Sequence, residues 1–356
     1  MASSTLAVTR PLLQEPPLPR PRGPLSEWVL DHLRTPPHPL DAGPAPGGDS
    51  DGDDLQLALY VCYELHYRSF AGVDEAWEWH PGLLAFRAGL EEVFEQGVRA
   101  AAGPSACDDP VEDQLWALAT GNHPASTATP SLSAHVAERG TLEQVRELAV
   151  HRSAYQLKEA DPHTWAIPRL RDQAKAALVE IQSDEYGGGV ESQMHSTLFA
   201  ATMDELGLDS RYGSYLPLLP APTLATCNLV SLFGLHRRLR GALVGHLAVF
   251  EMTSVGPMSR YAAALRRLGF GEEARRFYDV HVAIDGHHEV VASKMLAGGL
   301  AAAEPELSGD IVFGARALMM VEGRFANHLL ATWDSGASSL RSPLPSGSPE
   351  LVLSGL

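Results

Sequence analysis

Cysteine is scarce in this chain. There are three, Cys62, Cys107 and Cys227, and no two form a Cys-x-x-Cys pair. A sparse, odd set excludes a disulfide framework and a thiolate metal site, and points to a reducing compartment. Basic charge is also short. Lys and Arg total 27 against 44 Asp and Glu, a formal net charge of −17 with a pI near 5.3. That balance argues against nucleic acid and against anionic membrane surfaces as main partners. No apolar run reaches the ~18 residues of a membrane span. The stretch Met1–Arg20 has no apolar segment long enough for a signal peptide, so a cytoplasmic location is expected. Strand signals are missing too: no alternating run is bounded by Asn-Gly or Asp-Gly turns. There is no HExxH and no GxSxG. Gly187-Gly188-Gly189 follows a helical pattern rather than a strand, which excludes a phosphate-binding loop. It reads as a backbone break between two helices.

Proline is plentiful but lopsided: 11 of the 26 lie within residues 1–53. This segment is expected to be flexible or extended, with Ser26–Leu33 as one short helical turn docked on the body. Asp49, Asp51 and Asp53 imitate a calcium loop, but its sixth and twelfth positions are Asp54 and Tyr60, so it is rejected. From Asp54, a candidate N-cap, the apolar period is near 3.6. Helices are expected at 54–70, 82–102, 141–159, 162–184, 190–206, 223–238, 241–253, 258–268, 272–298 and 304–333, with 103–130 as a connection. Thr141 and Gln144 fit a capping box. The expected organisation is an all-α helical domain over 54–333, followed by a flexible tail at 334–356 rich in Ser, Gly and Pro.

Phe277–Glu289 carries the chemistry. His281, Asp285 and His288 stand at i, i+4 and i+7, one face of a helix. Imidazole plus carboxylate suits iron, manganese or zinc. A solvated polar stripe is the alternative, but Val280, Ile284 and Val290 leave little purely polar face. The other half of such a site must come from other helices. Glu159 and Glu185 each end a predicted helix, and His195 opens the next stretch amid Met194, Leu198 and Phe199. A carboxylate at a helix C-terminus opposes the helix dipole, which a cation would neutralise. Alone, Glu159 reads as a helix-end acid and His195 as a core histidine. His246 and Glu251 read as partners that orient a ligand imidazole, or as an internal hydrogen-bonded pair. Glu64 and His66 read as structural. His287 and Glu289 face about 100° away from the ligand stripe.

The stretches YELHYRSF, QLKEADPHTWAIPRL, DEYGGG, HSTLFAATMDELGLD, RLRGALVGHLAVFEMTS and FYDVHVAIDGHHE together resemble the iron-containing redox enzyme family, the haem-oxygenase-like di-iron oxidases and oxygenases. The resemblance runs from about Leu55 to about Trp333. Its specific part is the order Glu159, Glu185, His195, His281-x3-Asp285-x2-His288. It implies a haem-oxygenase-like helical bundle and a labile non-haem centre of two ferrous ions, or iron with manganese, held by those six residues. It also implies dioxygen as co-substrate. The implied reactions are N-oxygenation, or C–H or C–C oxidation, of a small organic substrate, with an electron donor where the substrate does not supply the electrons. Some relatives carry a further carboxylate where this chain has Ser192; the nearby acid, Glu191, points elsewhere on a helix. A homodimer through an exposed apolar helix face is compatible with the sequence. Two other functions stay open: a metal-free, thiaminase-type enzyme on the same fold using Glu251, and a non-catalytic helical binding protein.

Overall fold

The computed structural model describes residues 15–104, 109–121 and 131–344. Among these residues there is no strand, and the helices build an all-α bundle. Cys107, with the first 14 residues and residues 345–356, lies outside the described residues. No helix is long and apolar enough to cross a membrane among them.

Helix α1 (Pro24–Leu33) starts with proline in its first turn and buries Leu25, Val29, Leu30 and Leu33. Proline lacks the N–H that a first turn would leave unpaired anyway. Asp54 does not cap its own helix, α2 (Asp53–Glu64), whose N-cap is Gly52. Its carboxylate instead accepts the Leu25 and Ser26 amides at 2.8 Å each, capping α1 from outside. Part of the segment expected to be flexible is thereby fixed to the body. Helix α3 spans Pro81–Ala102. The stretch expected as a bare connection contains α4 (Val111–Ala119), and α5 (Leu132–Arg139) follows. Helix α6 (Leu142–Gln156) opens with the expected capping box of Thr141 and Gln144.

The single helix expected over 162–184 is broken. A short α7 (Asp161–Thr164) and a 3-10 turn at Ile167–Arg169 precede α8 (Asp172–Glu185). Pro168 removes an amide, and Leu170 and Arg171 are extended. Helices α9 (His195–Glu205) and α10 (Ala221–Leu235) follow. The two helices expected over 241–268 are one, α11 (Arg240–Arg267), which continues through Pro257. Helix α12 (Glu272–Val290) passes into a π-helix at Val291–Gly298, then α13 (Gly299–Ala303). Helix α14 (Ser308–Asp334) closes the bundle. Beyond it, buried Glu147 accepts from Trp333 Nε1 at 2.8 Å, Ser338 Oγ at 2.6 Å and Ser339 N at 2.9 Å. The start of the expected tail is held to α6 in this way.

Two apolar clusters fill the interior. One gathers α3, α8, the first half of α11 and the π-helix around Ile181, Ala248 and Val291. The other gathers α1, α2, α6, α9 and the first half of α12 around Leu157, Phe199 and Phe277. Helices α11 and α14 cross in backbone contact. A Cβ on Gly245 would overlap the Ile311 carbonyl, and one on Gly314 would overlap that of Ala242. Neither obstacle is a flexible side chain, so neither can yield. Gly245→Ala is therefore expected to cost about 3 kcal/mol or more by chemical denaturation. Gly89→Ala, on α3 with nothing within 4 Å of its added carbon, is expected to gain up to about 1 kcal/mol. Equal effects would contradict the close crossing.

Candidate metal centre

Helix α12 is inside out over its last turns. His281, Asp285 and His288 are at most 3% exposed, whereas Val282 and Val290 are 37% and 42% exposed. An apolar helix face would normally turn inward. Here a polar stripe is buried and valines face water, which requires something inside that rewards imidazole and carboxylate.

The groups facing that stripe come from three other helices and the turn after a fourth. Glu159 lies just past α6, Glu185 at the last residue of α8, His195 at the first residue of α9 and Glu251 in mid-α11. All are buried. One ligand atom each from Glu159, Glu185, His195 and His281 lies within 4.8 Å of the others. A second set, Glu185, Glu251 and His288, meets the same limit. Glu185 belongs to both.

The three glycines after Glu185 make the short link to His195. All have positive φ, at 62°, 61° and 83°. A Cβ on Gly187 would stand 2.5 Å from the Gln193 carbonyl carbon. Only glycine accepts both that conformation and that approach. The expected backbone break is there, and it brings the C-terminal end of α8 against the N-terminal end of α9.

Unpartnered atoms mark where a cation would sit. Both carboxylate oxygens of Glu159, Glu185 Oε2, both ring nitrogens of His195, Asp285 Oδ1 and His288 Nδ1 are buried without a hydrogen bond. Buried polar groups are ordinarily paired. His195 Nδ1 is 2.9 Å from Glu185 Oε2, and His288 Nδ1 is 3.4 Å from Glu251 Oε2. These pairs are close but not aligned as hydrogen bonds, as expected of atoms aimed at a common third point.

The outer contacts select the free nitrogens. His281 Nδ1 donates to the Phe277 carbonyl at 2.7 Å, which leaves Nε2 toward Glu159 at 3.9 Å. His288 Nε2 donates to Asp184 Oδ2 at 3.0 Å, which leaves Nδ1 toward Glu185 and Glu251. Such contacts fix the tautomer and raise basicity in metal-ligating histidines. Ser254 Oγ donates to Asp285 Oδ2 at 2.5 Å.

The electrostatics without a cation are unfavourable. Burial, with Glu185, Glu251 and Asp285 around it, pushes Glu159 well above the usual carboxylate range. Burial and Glu251 push Asp285 to about 7, and burial also raises Glu251. Burial would raise Glu185 as well, but His195 outweighs it and holds Glu185 down. His195 rises correspondingly, because Glu185 overcomes its burial. Burial and His195 lower His281 to about 4. Burial would lower His288, but Glu251 carries it to about 9. Carboxylates in one dry space cannot all ionise unless positive charge joins them. Imidazole and carboxylate donors, buried and unpartnered, suit a divalent first-row metal.

Five of the six sequence-predicted ligand candidates fall within the two sets; Asp285 belongs to neither, and its Oδ1 lies 3.8 Å from His288 Nδ1 beside them. The structure separates the two expected supporting residues. His246 Nδ1 faces His163 Nε2 at 3.1 Å and belongs to neither set of candidate ligands. Glu251 stands among the candidate ligands rather than behind them. Asp184, unremarked in the sequence, supports His288; its place beside Glu185 was the only available signal. His287 bonds Glu180 at the surface. A recess of about 470 Å³ beside Val111, Gly298 and Ser308 shares no residue with the cluster.

An all-α bundle with a buried histidine–carboxylate cluster at its centre defines a class of helical metal-binding redox proteins. Residues 146–323, half of the chain, match the iron-containing redox enzyme family, and the chain belongs to it. It is 30% identical over 141 residues to nitrosourea synthase from Streptomyces achromogenes subsp. streptozoticus. That match covers 39% of this chain and 30% of the relative, less than a third of its length. Among solved structures, a Cadd-like protein of unknown function from Nostoc punctiforme superposes with a TM-score of 0.50 at 17% identity, over 62% of this chain and 96% of that one. This second likeness concerns the fold alone.

Glu159→Gln separates a ligand from a structural acid. The amide keeps the shape and replaces a group whose ionisation burial and three neighbouring carboxylates oppose. The metal-free variant is expected to melt at or above the unsubstituted chain, while its ferrous affinity falls at least tenfold. A destabilised variant with unchanged affinity would mark Glu159 as structural.

Proposed function

We propose that the protein is a non-haem di-iron oxidase or oxygenase that activates dioxygen and acts on a small organic substrate. One observation carries the reading: two overlapping sets of buried ligand atoms share Glu185. Two dications would balance the four carboxylates of Glu159, Glu185, Glu251 and Asp285. Glu159, His195 and His281 would hold one ion. Glu251, His288 and Asp285 would hold the other, with Glu185 between them. Two ferrous ions bound there would supply the reducing electrons and open coordination positions that dioxygen requires. An iron–manganese pair suits the same donors.

The chain's own residues perform the remaining tasks. Phe277 and Asp184 hold His281 and His288 in the tautomers that leave a lone pair inward. Ser254 fixes the orientation of the Asp285 carboxylate. The apolar clusters on both sides keep bulk water out, which strengthens every charge interaction within. Asp285 and His288, protonated near neutral pH without metal, would each give up a proton when a metal is held. Glu251, acting alone, would be the acid of a metal-free enzyme. Its place against His288, among the unpartnered atoms, favours the metal-dependent reading.

The relative's name supports nitrogen as the first reacting atom to test, because building a nitrosourea demands oxidised nitrogen. Amines, guanidines and ureas are therefore the first candidate substrates, followed by compounds with activated C–H or C–C bonds. The protein is proposed to work in the cytoplasm, with an electron donor where the substrate supplies too few electrons.

The shared ligand gives a sharp expectation. With excess ferrous iron and no oxygen, Glu185→Ala should lose both ions. His281→Ala and Asp285→Ala should each retain one, or lose only the affinity of one. Iron analysis and circular dichroism on the same samples check this. Unchanged stoichiometry in all three folded variants would contradict the assignment.

A further inference from the structure

Glu159 does not sit on a regular helix. Helix α6 ends at Gln156, the Lys158 and Glu159 amides reach back only three residues, and Ala160 takes φ 74°. A left-handed alanine is strained and persists only where its surroundings hold it. Two contacts hold this one. On one side, Gln182 Nε2, a turn before Glu185, donates to the Ala160 carbonyl at 2.9 Å. On the other side is Lys158.

The chain's lysines are Lys158, Lys175 and Lys294, and of these Lys158 alone is buried. Its Nζ donates to Glu64 Oε2 at 2.6 Å, with the two side chains 2% and 1% exposed. The ammonium also lies 4.2 Å from the ring centre of Tyr67, 5.2 Å from that of Tyr60 and 5.8 Å from that of Tyr212. Tyr212 donates its hydroxyl to the same Glu64 oxygen at 2.7 Å. This is a closed box: one cation, one anion and three aromatic faces, away from solvent.

A buried pair of this kind is poor evidence for stability, since apolar replacements often fold as well or better. What it supplies is a unique position. A cation in a dry aromatic box has one low-energy place, whereas an apolar side chain tolerates sliding. Lys158 points toward α2, and its neighbour Glu159 points the other way, into the metal cluster. There Glu159 meets Glu185, Glu251 and Asp285, all of its own sign. A side chain at a strained turn keeps one direction only where its neighbours restrain it.

We propose that Lys158 is a positioning residue for Glu159: clamped by Glu64 inside the tyrosine box, it holds the turn at Ala160 that keeps the Glu159 carboxylate aimed at the metal locus. This rests on the ligand role proposed above for Glu159. The general need is familiar: a binding site works when its ligands are held in place by a supporting layer before the ligand arrives.

The test is the double variant Lys158→Met/Glu64→Leu in the full chain, titrated anaerobically with ferrous iron. Both charges leave together, so no unpaired ion remains. The metal-free variant should melt within a few degrees of the unsubstituted chain. One of the two ferrous sites should lose at least tenfold in affinity, and one of the two ferrous ligand-field signals in near-infrared magnetic circular dichroism should shift or vanish. The site of Glu251 and His288 should be unchanged. A purely structural pair would move neither affinity nor spectrum. Two irons bound with unaltered affinity and spectrum would overturn the proposal while leaving the di-iron reading intact. No iron bound by the unsubstituted chain would overturn both. If the double variant does not fold, Tyr212→Phe, which removes only the hydroxyl donor to Glu64, decides: a smaller loss at the same single site supports the clamp, and none overturns it.

Discussion

Four carboxylates, Glu159, Glu185, Glu251 and Asp285, share one water-poor space with three imidazoles. The rest of the structure follows from that arrangement. Burial alone would drive each acid toward neutrality, and mutual repulsion adds to it. The resulting cluster holds protons near neutral pH that it would exchange for metal. Its stability without metal and its affinity for metal are therefore opposed.

The bundle is shaped to tolerate that opposition. Three of the candidate ligands arise where regular helix stops or starts: just after α6, at the end of α8, at the start of α9. The positive φ angles at Ala160 and Gly187–Gly189 give the chain its sharp reversals beside them. The remaining candidate ligands lie on long helices, α11 and α12, and α11 is anchored by its backbone-to-backbone crossing with α14. Long helices thus carry Glu251, His281, Asp285 and His288, and helix ends and turns carry Glu159, Glu185 and His195. Two apolar clusters meet around the site, which supplies the core that the polar centre does not.

Much of this was legible in the sequence. The 3.6-residue period exposed the all-α class, and the i, i+4, i+7 spacing of His281, Asp285 and His288 is realised as one buried stripe. Order along the chain pointed to Glu159, Glu185 and His195. What stayed hidden depends on distance between helices. Glu251 looked like a supporting group, because nothing on α11 alone says which α12 histidine it meets. His246 shares that helix and looked equivalent, yet it lies five residues before Glu251 and faces His163 instead. The break of the helix expected over 162–184 came from Pro168, whose effect a mostly apolar, helix-compatible stretch concealed. Asp54 capped a helix other than its own, a relation that only tertiary contact reveals.

The central claim is that the buried charge of this cluster is there to be met by two dications. The most direct measurement is an anaerobic ferrous titration of the unsubstituted chain at pH 6 and pH 8, with proton release recorded alongside. Asp285 near 7 and His288 near 9 are protonated without metal at the lower pH. Metal must displace those protons, so affinity should rise about tenfold per pH unit for each proton released. Saturation at two irons per chain is expected, with protons released and tighter binding at pH 8. A folded protein that binds no iron saturably, or binds it with no dependence on pH, would contradict it.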